Sequence, residues 1–264
     1  MEKQSAKTRV GAVSYLNTVP LVWGMLHGAE REQVDLSFSI PSVCARRLEQ
    51  GEIEVGLVPV AEIARQGLET VPGIGICCRG AVRSILLFSR VPWKQVQTLA
   101  ADVSSRTSVE LARIILRERF GVQPQVASRE PRLLEMLSEA DAALIIGDPA
   151  LRIDPQRETL ESLDLGAEWL ALTGLPMVFA LWAGKPGIPS DQLSTLLRRS
   201  YAFGRKHFTS IVEQEHSRRG IPLSVAEHYL YHCIRFDLGP EERKGMEAFL
   251  ALADLPRPAL STTA

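Results

Sequence analysis

The side chains in this sequence that could do chemistry are mostly hydroxyls and amides, and they stand where apolar strands give way to helices. The fullest example is Gly11–Leu21, GAVSYLNTVPL. Val10, Ala12 and Val13 close a strand, Ser14, Tyr15, Asn17 and Thr18 form a polar elbow, and Val19, Pro20 and Leu21 open a helix. Thr18 is the expected N-cap, and Pro20 falls early enough for its missing N–H not to matter. A strand that enters a helix in this way leaves free backbone N–H groups beside neutral donors, which is a seat for a carboxylate or phosphate. An ordinary strand-to-helix connection would have the same pattern.

Further polar turns are expected at the same address. They are Ser42 after the second strand, Pro59 after the third, Arg79–Ser84 before the fifth, Thr107 and Ser108 at a helix start, and Gly147-Asp148 after a buried strand. Together they would recognise an anionic small molecule through N–H and O–H donors. Each also has a purely structural reading. Ser42, Thr107 and Ser108 serve as helix caps, with Thr107 and Glu110 as a capping box. Asp148, before Pro149, serves as a turn former, and Arg79 and Arg83 as surface charges. Asn17 has no obvious structural task once Thr18 is the cap. Ser84 opens an apolar strand and points its hydroxyl into either a cleft or the core.

Other chemistries find no footing. There is no nucleophile–base pair, no carboxylate pair at useful spacing and no glycine-rich phosphate loop. Cys44, Cys77, Cys78 and Cys233 lack any CxxC or Cys/His ligand spacing and are expected to be reduced, buried thiols. His228 and His232 are four residues apart and read as one face of a helix. Neither a metal nor a cofactor is called for.

The elements that must hold these turns alternate. Residues 34–40, 54–60, 73–78 and 84–90 read as strands, with helices after 42 and 60. Pro92-Trp93 breaks the pattern, which restarts with a strand at 97–102, a helix over Val109–Phe120, the strand QPQVAS, the helix PRLLEMLSEA and a strand at 141–148. A looser region, 149–166, precedes the apolar strand Leu175–Gly184, and from Ser190 onward only helices are expected, at about 190–217, 224–234 and 240–253. Such alternation implies parallel sheets with helices on both faces. The break near 91 suggests two lobes, residues 1–90 with 178–264 and residues 91–177, with the strand at 177–183 carrying the chain back. Two crossovers would then leave a ligand cleft lined by strand C-terminal ends and helix N-termini. From pattern alone this is a two-lobed, anion-binding α/β protein.

Composition agrees. At 264 residues, 45% apolar and 23% charged, the chain is of ordinary globular make-up. Its 30 basic and 31 acidic residues are interspersed for a net charge of −1, so no basic stripe suggests nucleic acid and no polybasic helix a membrane surface. The apolar runs are too short to span a bilayer. The polar MEKQSAKTR segment leads straight into the first strand, and a cytoplasmic location is expected. A homodimer is left open.

VSYLNTVPL, the Pro41-Ser42 helix start, GLVPVAEIA, CRGAVRSILLFSR, SRTSVELARIIL, DAALIIGDPAL and LGAEWLALTGLPMVFALWAG resemble, in order, the successive blocks of the chorismate dehydratase family. That family opens the futalosine route to menaquinone. The resemblance implies a two-lobed periplasmic-binding-protein type II fold: two mixed sheets, a cleft between lobes and a helical C-terminal tail. It also implies removal of water from chorismate to give 3-[(1-carboxyvinyl)oxy]benzoate, without metal or cofactor. Asn17 and Ser84 would act at the reacting ring, one holding the leaving hydroxyl and the other positioning the substrate. Ser42, Thr107 and Ser108 would bind the two carboxylates, and Ser14, Tyr15, Thr18, Pro59, Arg79, Gly147 and Asp148 complete the substrate-binding set. Two alternatives stand beside this. The sibling 1,4-dihydroxy-6-naphthoate synthase shares the fold, but looks like it carries a His-Glu pair where this chain has Gly147-Asp148. A non-catalytic small-anion solute-binding protein would also use this architecture.

Overall fold

The computed structural model describes residues 7–102, 104, 106–156, 158–187 and 190–258, so most of the MEKQSAKTR segment lies outside the described residues. The first stretch carries β1 (Thr8–Val13), α1 (Val19–His27), β2 (Val34–Ser39), α2 (Pro41–Glu49), β3 (Val55–Pro59), α3 (Val60–Gln66) and β4 (Glu69–Cys78). Then come β5 (Ile85–Ser89), β6 (Thr98–Asp102), α4 (Arg106–Phe120), β7 (Gln125–Arg129), α5 (Leu133–Glu139), β8 (Ala142–Ile146), α6 (Gly147–Arg152), β9 (Glu161–Asp164) and α7 (Leu165–Thr173). The chain ends with β10 (Met177–Gly184), α8 (Ser190–Lys206), α9 (Phe208–Arg218), α10 (Leu223–His228), β11 (Arg235–Asp237) and α11 (Pro240–Leu252).

Two mixed sheets result. One has the order β11-β4-β10-β3-β1-β2 and the other β7-β6-β8-β5-β9. Within the first, β1, β2 and β3 run parallel, and β10 is antiparallel to both β3 and β4. In the second, β6 is parallel to β7 and β8, and β5 is antiparallel to β8 and β9. Every residue of β3, β8 and β10 is buried. That explains why these strands read as continuous apolar runs rather than alternations: helices or loops cover both faces.

The chain crosses between sheets twice, and each crossing shapes the cleft. The return through β10 was legible. The outward crossing differs from the expectation, because β5 pairs with β8 and β9 in the second sheet. The chain therefore leaves the first sheet after Cys78, not near residue 91. Periodicity marks a segment as strand but says nothing of its partner, and Pro92-Trp93 is a turn inside the second unit. The crossing segment is held firmly. Asp164 accepts from the Val82 and Arg83 N–H groups at 2.9 and 2.6 Å, and the Arg83 guanidinium donates to the carbonyls of Ala150 (3.0 Å) and Ile153. Arg83 is thus a strut rather than a surface charge.

Three other expectations are corrected. The loose region holds the end of α6, all of β9 and the start of α7, which Asp164 caps. The long helix at 190–217 breaks at His207. The tail is not purely helical: β11 adds an edge strand to the first sheet. The tail packs against the elbow helix: Ser200 Oγ donates to the Leu21 carbonyl at 2.8 Å and accepts from the Met25 N–H at 3.2 Å. A Cβ on Gly204 would come within 2.0 Å of the Pro20 carbonyl oxygen, so only glycine lets α8 lie this close on α1.

Candidate active site

A cleft opens between the sheets. Val13, Pro59 and Ile146, which line it, are the last residues of β1, β3 and β8. The antiparallel strands meet it in register, since Ile85 pairs with Ile146 and Ala180 with Pro59. Its wall is mostly apolar, and none of the described residues lining it carries a charge. A ligand's negative charge would be met by hydroxyls, amides and the backbone at the openings of α2 and α4, represented by Pro41 and Thr107.

Six of the residues expected at the site line this cleft: Tyr15, Asn17, Pro59, Ser84, Thr107 and Gly147. Ser14, Thr18, Ser42, Arg79, Ser108 and Asp148 are not among the lining residues. Thr18 is fully buried and stands at the N-cap of α1, but its side chain makes no cap hydrogen bond: the residue has helical backbone angles, and its hydroxyl donates to Asn17 Oδ1 at 3.5 Å. Ser42 lies inside the first turn of α2, whose N-cap is Ile40. Thr107 belongs to α4 itself; its Oγ1 accepts from the Ala61 N–H at 3.1 Å, tying α4 to the start of α3, while Glu110 pairs with Arg65 at 2.7 Å. The capping box is therefore replaced by a tether between the two units. Ser108 is buried one residue further along, and Arg79 is exposed. Asp148 takes the structural role: Oδ1 accepts from the Leu16 N–H at 2.9 Å and Oδ2 from Arg219 at 2.6 Å. Arg219 donates also to the Ser14 carbonyl at 2.6 Å, so the elbow hangs on this ion pair.

Asn17 follows a strand of the first sheet and Ser84 precedes a strand of the second, yet they share one partner. Asn17 Nδ2 donates to the Tyr229 hydroxyl at 2.9 Å, which donates to Ser84 Oγ at 3.0 Å. Burial holds the Tyr229 phenol far above its ordinary pKa, so it stays neutral. Ser84 is further pinned by its carbonyl, which accepts from the Gly147 N–H at 2.8 Å. Tyr229 could not be found from sequence, because a tyrosine on an apolar helical stretch reads as core.

Tyr15 forms the opposite polar element. Its hydroxyl lies 2.8 Å from Ser104 Oγ, which donates to Asp102 Oδ1 at 2.6 Å. Because Ser104 spends its proton on Asp102, Tyr15 donates to Ser104 and offers only lone pairs elsewhere. Asp102 Oδ2 is buried with no hydrogen-bond partner among the described residues. Burial raises the Asp102 pKa against the lowering effect of the Ser104 contacts. An aspartate raised in the folded state adds stability below its unfolded value, about 3.9, and loses it as pH climbs through the folded value. Asp102→Asn, which keeps the Oδ1 acceptor, is therefore expected to unfold at a higher temperature than the parent at pH 7, with the gap narrowing towards pH 4. Thermal unfolding across that range checks this; a pH-independent gap would refute it.

Gly147 is where the Tyr15 ring lands. It has φ +64°, and a Cβ there would lie 2.6 Å from Tyr15 Cζ. Gly147→Ala is expected to cost about 1–2 kcal/mol for the left-handed backbone, or roughly 2–8 °C in Tm. It also pushes the ring into the cleft, so ligand affinity falls with it. Calorimetric unfolding and a binding titration on the same variant would show both losses; retention of affinity would mean that the ring is not part of the binding wall.

The four cysteines are unpaired and buried, and burial raises Cys44 to about 11 and Cys77 to about 12, which keeps those thiols protonated. His228 and His232 are exposed on one helical face with ring centroids 5.4 Å apart, and no group of three metal-ligating side chains occurs among the described residues. No described helix is long and apolar enough to cross a membrane.

Relatives place this geometry in context. The chain is 29% identical to the chorismate dehydratase of Thermus thermophilus over 94% of its length and 95% of that protein's. It is 22% identical to the chorismate dehydratase of Campylobacter jejuni over 91% of its length and 95% of that protein's. Among solved structures it is similar to protein AF1704 from Archaeoglobus fulgidus, with TM-score 0.77, 15% identity and coverage of 96% of this chain and 98% of that one. The alkanesulfonate-binding protein SsuA from Xanthomonas axonopodis pv. citri, bound to MOPS, gives TM-score 0.65 at 14% identity, with 97% and 96% covered. The architecture is thus that of periplasmic-binding-protein-like folds, as the family resemblance implied. The model of the family described as menaquinone biosynthesis matches residues 8–254, and the chain belongs to that family.

Proposed function

We propose that this protein is a chorismate dehydratase that converts chorismate to 3-[(1-carboxyvinyl)oxy]benzoate and water in menaquinone biosynthesis. The observation that carries the reading is a cleft with an uncharged lining in which Asn17 and Ser84 share one buried hydroxyl. Such a site suits a redox-neutral elimination. The proton on the ether-bearing ring carbon is acidified by conjugation to the ring carboxylate, the adjacent carbon carries the leaving hydroxyl, and aromatisation drives the reaction. The protein must orient the ring, stabilise spreading carboxylate charge and donate to the departing oxygen.

Ser84 and Asn17 supply those donors at the reacting ring. Thr107 and the opening of α4, with that of α2, face the carboxylates, while the Tyr15 ring and Pro59 shape the wall. Tyr15 is the titratable side chain among the described lining residues, and burial raises its phenol. The proton from the ring carbon therefore goes to the substrate's own enolpyruvyl carboxylate or to a held water. The enzyme is then a hydro-lyase, and a cytoplasmic location goes with a biosynthetic substrate of this kind. A binding-only role has one observation in its favour, the likeness in fold to a sulfonate-binding protein.

Incubating purified protein with chorismate, with no added metal or cofactor, separates the two readings. Ultraviolet spectra and product mass should show the loss of one water and the appearance of an enolpyruvyl-benzoate. Chorismate that is bound but unchanged would replace the enzyme with a binding protein.

A further inference from the structure

We infer that Tyr229 is a positioning residue of this site, setting the directions in which the Ser84 hydroxyl and the Asn17 amide present their hydrogens. The inference deepens the chorismate dehydratase reading and rests on it. A phenol has one proton, and here it goes to Ser84 Oγ at 3.0 Å. Ser84 therefore accepts from Tyr229 and must send its own proton elsewhere. No described side chain or carbonyl is hydrogen-bonded to accept it, and Ser84 lines the cleft. Its hydroxyl is thus left as a donor to a ligand.

The amide is set by the same contact. Thr18 donates to Asn17 Oδ1, which places Nδ2 on the Tyr229 side, where it donates at 2.9 Å. The second amide hydrogen is free for a ligand. Tyr229 thereby turns two ambivalent groups into donors, the polarity that a departing hydroxide requires.

Tyr229 is itself 1% exposed and does not line the cleft, so it acts through the other two. It opens a π-helical turn, Tyr229–Cys233, between α10 and β11, closed by the Ile234 N–H donating to the Tyr229 carbonyl at 3.1 Å. Such widened turns re-aim side chains and recur at functional sites. A purely space-filling role would need the ring and not the hydroxyl, and that difference is testable.

Tyr229→Phe, Ser84→Ala and the double variant would be assayed on chorismate beside the wild type, with folding followed by circular dichroism and thermal unfolding. Tyr229→Phe should lower kcat by about 10- to 100-fold and leave KM within about threefold, because it misdirects donors without removing binding groups. In the Ser84→Ala background the same change should cost less than about fivefold, since the hydroxyl proton it directs is already gone and the contact from Thr18 still orients the Asn17 amide. Wild type that leaves chorismate untouched overturns the dehydratase reading and this inference with it. Active wild type, with Tyr229→Phe near full kcat or with equal losses in both backgrounds, overturns the inference alone. Should Tyr229→Phe fail to fold, 3-fluorotyrosine at position 229 keeps the ring and hydroxyl while strengthening the donor. A kcat change of at least about twofold, absent in the Ser84→Ala background, is then expected, and an unchanged kcat overturns the inference.

Discussion

Replacing Asn17 or Ser84 with alanine should lower chorismate turnover by about 10²–10³-fold, the usual cost of removing one preorganised donor from a developing negative charge. The fold should survive. Ser84 is buried in a strand start whose backbone is fixed independently by the Gly147 N–H, and its truncation removes one oxygen. Asn17 is half-buried, so its truncation leaves a small, partly wet gap. Each variant strips one partner from Tyr229, which costs about 1–3 kcal/mol, or roughly 2–12 °C in Tm for a chain of this size. Steady-state kinetics with thermal unfolding on the same preparations separates the two effects. Near-normal turnover in both variants would remove these residues from the reacting ring.

The largest effect on stability is expected elsewhere, at Asp148. This carboxylate is 5% exposed and joins three parts of the chain: α6, the elbow through the Leu16 N–H, and α9 with the residue that ends it through Arg219. Removing one member of a buried ion pair typically costs about 3–5 kcal/mol, because the other charge stays behind without its partner. Arg219 keeps Glu215 at 2.9 Å and its side chain is 18% exposed, so the lower end applies. Asp148→Ala should therefore lose about 3 kcal/mol in urea unfolding, and Asp148→Asn less, because an amide oxygen can still accept from Leu16. Arg219→Ala combined with Asp148→Ala should cost much less than the sum of the singles. Simple additivity would mean that the contact is screened by water and that the elbow is held by packing alone. Because Tyr15 and Asn17 flank Leu16, turnover should weaken along with stability.

Much of the first sheet was legible because its signals are local. Alternation in β2, unbroken apolar runs in β3 and β10, and Gly239-Pro240 ahead of α11 each depend on residues within one turn or strand. At the last of these, Glu242 accepts from the Gly239 N–H at 2.9 Å. Hidden were matters of partnership. Thr18, Ser42 and Thr107 carry the side chains of helix caps, yet Thr18 holds the N-cap of α1 without a cap hydrogen bond, Ile40 takes the N-cap of α2, and Thr107 is tied to Ala61. Asp148 reads equally as a ligand or a turn former, and an arginine distant in sequence made it a strut.

Local signals were enough for the α/β alternation, the return strand through β10, and a set of mostly neutral donors at strand ends. Those follow from hydrophobic periodicity and side-chain chemistry, which act over a few residues. Folding placed β5 in the second sheet and brought six of the twelve expected site residues to the cleft. It also decided that Asn17 and Ser84 meet on a tyrosine from the far end of the chain. The physical reason is that a strand's partner, and a buried hydroxyl's, are chosen by long-range packing and by the need to satisfy every buried polar group, and neither leaves a local mark.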